Sequence, residues 1–293
     1  MITFSEDGYK PALKIMWKCS FPTDTDSFID FYFREVYKND ETLVYLEDRE
    51  VVAALQMIPY TLKNHSETLQ AGYISGAMTH PDFRRRGFMK ALMYASFETM
   101  RAKHYDYTFL IPQETWLFRF YEKFGYNVCV SSPFLPESKT FHNSQHPEIP
   151  FRVYIYGNAR EIADVQSVYS TYSRLLSAIP QVILKTETQF RHILHDLFNE
   201  NGVLFIGKQG VAFTSRRANS VVIKEFLYQN QQAKDLLLKT ISGYYAPQNL
   251  VIDSDPNLYR GLRGMIMGLN ADTAKISDLY INMMLEGDIE QKY

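Results

Sequence analysis

Apolar side chains recur at helical spacing through residues 8–20 (Leu13, Ile15, Met16, Cys19) and again through 24–37 (Phe28, Ile29, Tyr32, Phe33, Val36). Each stretch predicts a helix that hides one stripe and turns the other face to water. Thr23, Asp24 or Asp26 is placed to cap the second helix. The period then shortens. Residues 42–46 and 51–62 predict a hairpin turned through Asp48, Arg49 and Glu50, and 71–78 predicts a third strand, rich in small residues, that ends at Pro81. Helical spacing returns with Phe88, Met89, Leu92, Met93, Phe97 and Met100. Residues 107–111 read as a buried strand stopped by Pro112, and 115–124 as a helix with Gly125 as its left-handed stop. A last strand begins at 126–130.

Residues 133–150 are rich in Pro, Ser, His and Asn and have no period, which marks a connection. From 151 the order of elements comes round again: a strand at 152–156, helices at 159–176 and 187–198, strands at 203–206, 211–214 and 221–228, and a helix at 232–245. A strand at 250–252 and segments at 265–269 and 280–285 close the chain. The repeated order predicts an α/β (α+β) protein of two similar domains, 1–140 and 141–293. Each is expected to build a mixed, mostly antiparallel central sheet flanked by helices.

A length of 293 residues with 46% apolar and 22% charged positions suffices for two packed cores, so neither a metal nor a disulfide is needed for stability. A net charge of −2 gives no general attraction to nucleic acid or anionic membranes, and neither is expected as a partner. Self-association into a homo-oligomer stays open. Cys19 and Cys129 lie far apart without metal-type spacing, as in a reducing cytoplasm. The first residues show no basic segment followed by an apolar one, and no apolar run reaches about 18 residues. A cytoplasmic protein without a membrane span is the expectation. His192 and His195 lie one turn apart, and His142 and His146 fall in the connection. None has a carboxylate or thiol ligand fixed beside it, so no metal is expected.

Candidate chemistry concentrates at Arg84-Arg85-Arg86-Gly87-Phe88-Met89, between a strand and a long helix. A helix start offers unpaired N–H groups and the positive end of its dipole. Gly87 permits close approach of the backbone, and the arginines add charge. Together these suit a diphosphate. A solvated basic turn is the plainer alternative, and charge alone does not separate the two.

The stretch Met78-Thr79-His80-Pro81-Asp82-Phe83-Arg84-Arg85-Arg86-Gly87 resembles the acyl-CoA loop of the GNAT superfamily of N-acetyltransferases, and within it that of the Eis-type (enhanced intracellular survival) enzymes. Met89 stands where the family has Gly or Ala. Eis-type enzymes carry two GNAT-like units, which matches the repeated order above, and usually a sterol-carrier-like domain, which is not expected here. The resemblance implies tandem GNAT-like domains and acetyl-CoA as co-substrate. It implies that the backbone of Ala77, Met78 and Thr79 pairs with the pantetheine arm, that Arg84 and Arg85 through Lys90 (Arg86, Gly87, Phe88, Met89 between) hold the diphosphate, and that Trp116 and Leu117 line the far side. The small residues Ser75, Gly76 and Ala77 make such an approach sterically feasible.

Acetyl transfer to an amine requires a proton for the departing thiolate. Tyr121, in Phe120-Tyr121-Glu122-Lys123-Phe124-Gly125-Tyr126, resembles the tyrosine that supplies it in the family; the alternative is a core aromatic. Asp24 and Asp26 could attract a cationic amine or merely cap a helix, and His80 and Glu114 are further substrate-side candidates. The loop Gln229-Asn230-Gln231-Gln232 has neither Arg nor Gly, so the second domain is expected to lack a diphosphate site. The turn Gly207-Lys208-Gln209-Gly210 has no following helix and reads as a hairpin turn. The expected function is transfer of an acetyl group to a primary amine of a small molecule or peptide. A non-catalytic acyl-CoA sensor or partner-binding module is the alternative, and an aminoacyl or longer-acyl transferase the third reading.

Overall fold

The computed structural model describes residues 1–128, 151–154, 165–217, 220–246, 249–252, 264–276 and 279–281. By contacts, 1–128 and 264–276 form one compact unit and the remaining described residues the other. The expected boundary at 140 and 141, the connection at 133–150 with His142 and His146, and Cys129 lie outside the described residues.

The first unit opens with strand β1 (Ile2–Phe4) and helices α1 (Lys10–Ser20) and α2 (Asp26–Phe31), the latter running on as a π-helical turn, Tyr32–Val36. Thr25 caps α2 by accepting from the Phe28 amide at 3.2 Å. None of Thr23, Asp24 and Asp26 caps it: Asp26 already lies inside the helix, one residue past the position where a side chain can reach back to the amides. Strands β2 (Thr42–Glu47), β3 (Glu50–Asn64) and β4 (Glu67–Thr79) form an antiparallel meander. Its long second hairpin exceeds the predicted strands because both arms pair to the tip, Asn64 with Glu67. Helix α3 (Phe88–Ala102) leads to β5 (Tyr107–Leu110), parallel to β4, and then to α4 (Thr115–Glu122) and β6 (Asn127–Val128).

Alternation along the strands sorts the two faces. Leu43, Leu55, Met57 and Ile74 meet Leu92, Met93, Phe97 and Met100 of α3 and Tyr121 of α4. Val44 and Ala54, one residue out of phase, and Met78, beyond a bulge in β4, meet Leu13, Met16 and Trp17 of α1 and Ile29, Tyr32 and Phe33 of the second helix.

The second unit has β7 (Arg152–Tyr154), α5 (Val165–Leu176), β8 (Gln181–Leu184), α6 (Glu187–Asn199), β9 (Val203–Gly207), β10 (Gly210–Arg217), β11 (Ser220–Tyr228), α7 (Gln231–Tyr245) and β12 (Asn249–Ile252). Its sheet runs β12-β11-β10-β9-β7, antiparallel except for the parallel β11–β12 pair. Helices before a meander, then a helix and a parallel strand, repeat the order of the first unit. Lys208 and Gln209 form a hairpin turn, as expected.

One expectation is corrected. Strand β13 (Met265–Gly268), read from sequence as part of a second domain, belongs to the first sheet, in the order β1-β2-β3-β4-β5-β13-β6. It pairs antiparallel with both β5 and β6. All four residues of β5 are buried, so its far edge needs a ladder partner, and β6 is only two residues long. Among the described residues no helix is long and apolar enough to cross a membrane.

The second unit buries charge. Glu225 is fully buried and accepts from the Tyr172 hydroxyl at 3.1 Å and the Tyr280 hydroxyl at 3.3 Å. Lys185, also buried, donates to the Ile183 carbonyl at 3.3 Å, and burial pushes its ammonium down to about 8, against the pull of Glu225. Between pH of about 8 and about 10 the unfolded chain keeps a proton that folded Lys185 has released, so this group makes stability rise with pH across that window. The Lys185→Met variant is expected to flatten that rise in urea unfolding measured from pH 7.5 to 9.5; an unchanged slope would place the effect elsewhere.

Candidate functional site

Strand β4 pairs with β5 only from Ala71 to Tyr73, opposite Tyr107 to Phe109, yet continues to Thr79. Beyond Tyr73 the two parallel strands part, and residues 74–79 have no β5 partner among the described residues. On its other edge β4 bulges: Ala54 opposes Met78 and Gln56 opposes Ser75, so Gly76 and Ala77 together face Leu55. Gly76 sits at φ +56°, and a Cβ there would lie 2.8 Å from the Trp17 ring. Only glycine satisfies both conditions. Around the bulge the Tyr32 hydroxyl donates to Gln56 Oε1 at 3.1 Å and lies 3.4 Å from Ser75 Oγ.

The loop after β4 and the loop after β5 emerge at the same end of the sheet. The first makes a short 3-10 turn, Pro81–Phe83, and reaches Gly87 at φ +87°, the N-cap of α3. No side chain caps this helix, and a Cβ at Gly87 would meet nothing within 4 Å. Arg85 also has positive φ, +63°. Two left-handed residues flanking Arg86 turn successive amides toward one side, a concavity suited to an anion. Phe88 is buried, whereas Arg84, Arg85, Arg86, Gly87 and Lys90 are exposed and Met89 half-buried.

The three arginines differ in what they touch. Arg84 Nε donates back to the Thr79 carbonyl at 3.2 Å and closes the turn. Arg86 pairs with Glu47 Oε1 at 2.6 Å, and its guanidinium lies over Phe83 and Phe88, 5.3 and 5.0 Å from the ring centres. Among the described residues Arg85 alone of the three has no ion pair or hydrogen bond and points its charge into solvent.

At the second loop, Glu114 accepts from the Trp116 indole at 2.5 Å, and Trp116 is 60% exposed at the start of α4. Leu117 packs against the core. Tyr121, on the last turn of α4, is buried beside Phe120 and Tyr126, ring centres 5.2 and 6.0 Å away. Burial pushes the Tyr126 phenol upward, and its hydroxyl meets Thr108 Oγ1 at 2.9 Å. Gly125 follows α4 at φ +96°.

Of the acidic candidates, Asp24 is half-buried and accepts from Trp17 Nε1 at 2.7 Å; burial raises its carboxyl, opposed by that hydrogen bond. Asp26 is exposed and paired with Lys18. His80 Nδ1 accepts from the Asp82 amide at 3.4 Å and caps the 3-10 turn. Trp17, Gln56 and Glu47 were not singled out from sequence, and Tyr32 was read only as part of a helix's apolar stripe. A glycine inside a strand pattern is the signal that a bulge, and therefore its packing partner, stands there.

In the second unit the parallel partner of β11 covers Ser220 to Ile223 among the described residues. Its α7, however, is capped by its own Asn230, which accepts from the Ala233 amide at 2.9 Å. His195 Nδ1 lies 2.9 Å from the Asn199 amide nitrogen on α6. Among the described residues no three His, Cys, Asp or Glu side chains gather to hold a metal ion.

Residues 3–129 match the family model of the acetyltransferase (GNAT) domain. No curated protein matches by sequence. Among solved structures, a probable N-acyltransferase of Enterococcus faecalis V583 superposes with TM-score 0.70 at 13% identity, over 92% of this chain and 72% of that one. Eis1 from Mycobacterium abscessus gives 0.68 at 12% identity, over 92% and 74%. Saccharomyces cerevisiae N-myristoyltransferase with bound myristoyl-CoA gives 0.50 at 11% identity, over 91% and 77%. At such identities these likenesses establish the shared GNAT fold, a mixed sheet flanked by helices; Eis1 is one of several such neighbours.

The Arg86–Glu47 contact is expected to be structural. Glu47→Ala and Arg86→Ala should each lower stability by about 0.5–1 kcal/mol, with the double variant little worse than either single one. Additive losses in a chemical-denaturation cycle would show that the pair does not act as a unit.

Proposed function

We propose that the chain is an acetyl-CoA-dependent N-acetyltransferase that moves an acetyl group directly to a primary amine of a small molecule or peptide. The observation that carries this reading is the meeting, at one end of the first unit's sheet, of an unpaired β4 edge and an uncapped helix start. A pantetheine arm has two amides and can add to such an edge as a strand does. The backbone of Ala77, Met78 and Thr79 offers that edge, although the Thr79 carbonyl is already shared with Arg84. The amides of 85–90 and the Arg85 guanidinium receive the diphosphate. Arg86 holds the turn rather than the ligand. Trp116 presents an indole face on the far side. The myristoyl-CoA complex of the yeast neighbour supports an acyl-CoA in this fold, and the match to the acetyltransferase domain supports acetyl as the group moved.

Acetyl-CoA supplies a thioester whose carbonyl carbon a neutral amine attacks. Once the ammonium of the acceptor has given a proton to solvent, attack breaks the C–S bond, the phenol of Tyr121 gives its proton to the departing sulfur, and the proton shed by the new amide nitrogen restores the phenol. Asp24 draws the ammonium form of the acceptor toward the bulge, while the charge of Asp26 is taken up by Lys18. The second unit, with α7 capped by Asn230, is assigned no cofactor.

Calorimetry with coenzyme A is expected to show binding that weakens about ten-fold in Arg85→Ala, the loss of one charge-assisted contact. Tyr121→Phe should leave that binding intact and lower kcat by about a hundred-fold. Full turnover in Tyr121→Phe would remove the acid assignment. Tight coenzyme A binding without turnover on any amine would leave the sensor reading, and absence of binding would remove both.

A further inference from the structure

The first two helices face one another across a ladder of charge. Helix α1 carries Lys14 and Lys18 one turn apart, and each finds a carboxylate on the second helix: Lys14 meets Asp30 at 2.6 Å, and Lys18 meets Asp26. Lys10, a turn earlier, meets Asp7 at 3.0 Å, and Arg34 meets Glu35 at 2.7 Å. Asp24 is the exception. Of the four carboxylates between residues 10 and 36 it alone is bonded to a neutral donor, the Trp17 indole, and no cation lies against it among the described residues.

The same indole has a second contact. Its six-membered ring packs on Gly76, at the β4 bulge, while its nitrogen holds Asp24 at the opposite end. The carboxylate therefore stands one indole length from the strand segment that the proposed function assigns to the pantetheine arm. Aromatic rings cluster about the indole that holds it. Phe21 and Tyr32 lie 4.9 and 4.6 Å from Trp17, and Phe28 lies 5.9 Å from Tyr32, with Phe21 and Phe28 half-buried and so offering part of their faces.

We infer that the acceptor is an amine with a single positive charge next to an apolar or aromatic body, drawn by Asp24, and that Trp17 is the positioning residue that holds this carboxylate one indole length from the bulge. A polycation would find one free carboxylate here and, beside it, lysines whose charges are already matched. Its further charges would lose water without gaining partners. A monoamine with an aromatic body loses nothing of that kind and covers the Phe21 and Phe28 faces instead. This inference rests on the acyltransferase reading and narrows its acceptor.

The test is thiol release from acetyl-CoA with 2-phenylethylamine and with spermine, alongside calorimetry with coenzyme A. A kcat/KM at least about ten-fold higher for 2-phenylethylamine is expected, and Asp24→Asn should raise its KM about ten-fold with the coenzyme A heat unchanged, the loss of roughly one charge interaction. Trp17→Phe, which keeps a ring on Gly76 but removes the N–H donor, should raise KM while kcat falls less, and the double variant should be no worse than Asp24→Asn alone. A merely structural Trp17 would lower kcat and weaken coenzyme A binding along with any rise in KM, and would overturn the positioning role. Preference for spermine, or an unchanged KM in Asp24→Asn, would overturn the inference and leave the acyltransferase reading standing. Absence of coenzyme A binding would overturn both.

Discussion

Hydrogen bonding between β4 and β5 lasts for three residue pairs and then stops, although β4 runs six residues further. Two parallel strands cannot diverge inside a sheet unless something else turns the chain, and the bulge at Gly76 and Ala77 supplies the bend. The divergence exposes a strand edge in the middle of a sheet, where an edge is normally paired. It also sets the start of α3 and the start of α4 on either side of one gap, since both follow the parallel strands out of the same end. The candidate site is a consequence of that gap. Trp17 stabilises it from below by filling the space that the absent side chain of Gly76 leaves.

The arginine loop shows how three identical residues acquire separate tasks. Arg84 and Arg86 are drawn back onto the protein, one by the Thr79 carbonyl and one by Glu47 and two aromatic rings. Their engagement fixes the left-handed conformations at Arg85 and Gly87, which are costly for a chain left to itself. The rigid turn then aims the free amides of α3 and leaves one guanidinium for solvent or ligand. In the second unit the matching helix start is instead closed by its own Asn230.

Much of this was legible in the sequence, and the reason is locality. Helical and strand periods, the stop at Gly125, the open helix start at Gly87 and the missing glycine and arginine at 229–232 are decided within a few residues of themselves. The sequence alone therefore determined most of the order of elements, though not the strands Ile2–Phe4 and Gln181–Leu184, together with the class of fold and the position of the loop at the end of β4. What it could not decide was every pairing between distant residues. Backbone hydrogen bonds do not read side chains, so nothing in Met265 to Gly268 announces that they complete the first sheet rather than a second one. Glu47 takes one of three arginines from 39 residues away, and Trp17 reaches both Asp24 and Gly76. Thr25, rather than its acidic neighbours, caps the second helix because the exact turn at which that helix starts is set by packing of Ile29, Tyr32 and Phe33 onto the sheet. Local periodicity fixed the elements; only close packing in three dimensions decided which charges are neutralised and which remain for a ligand.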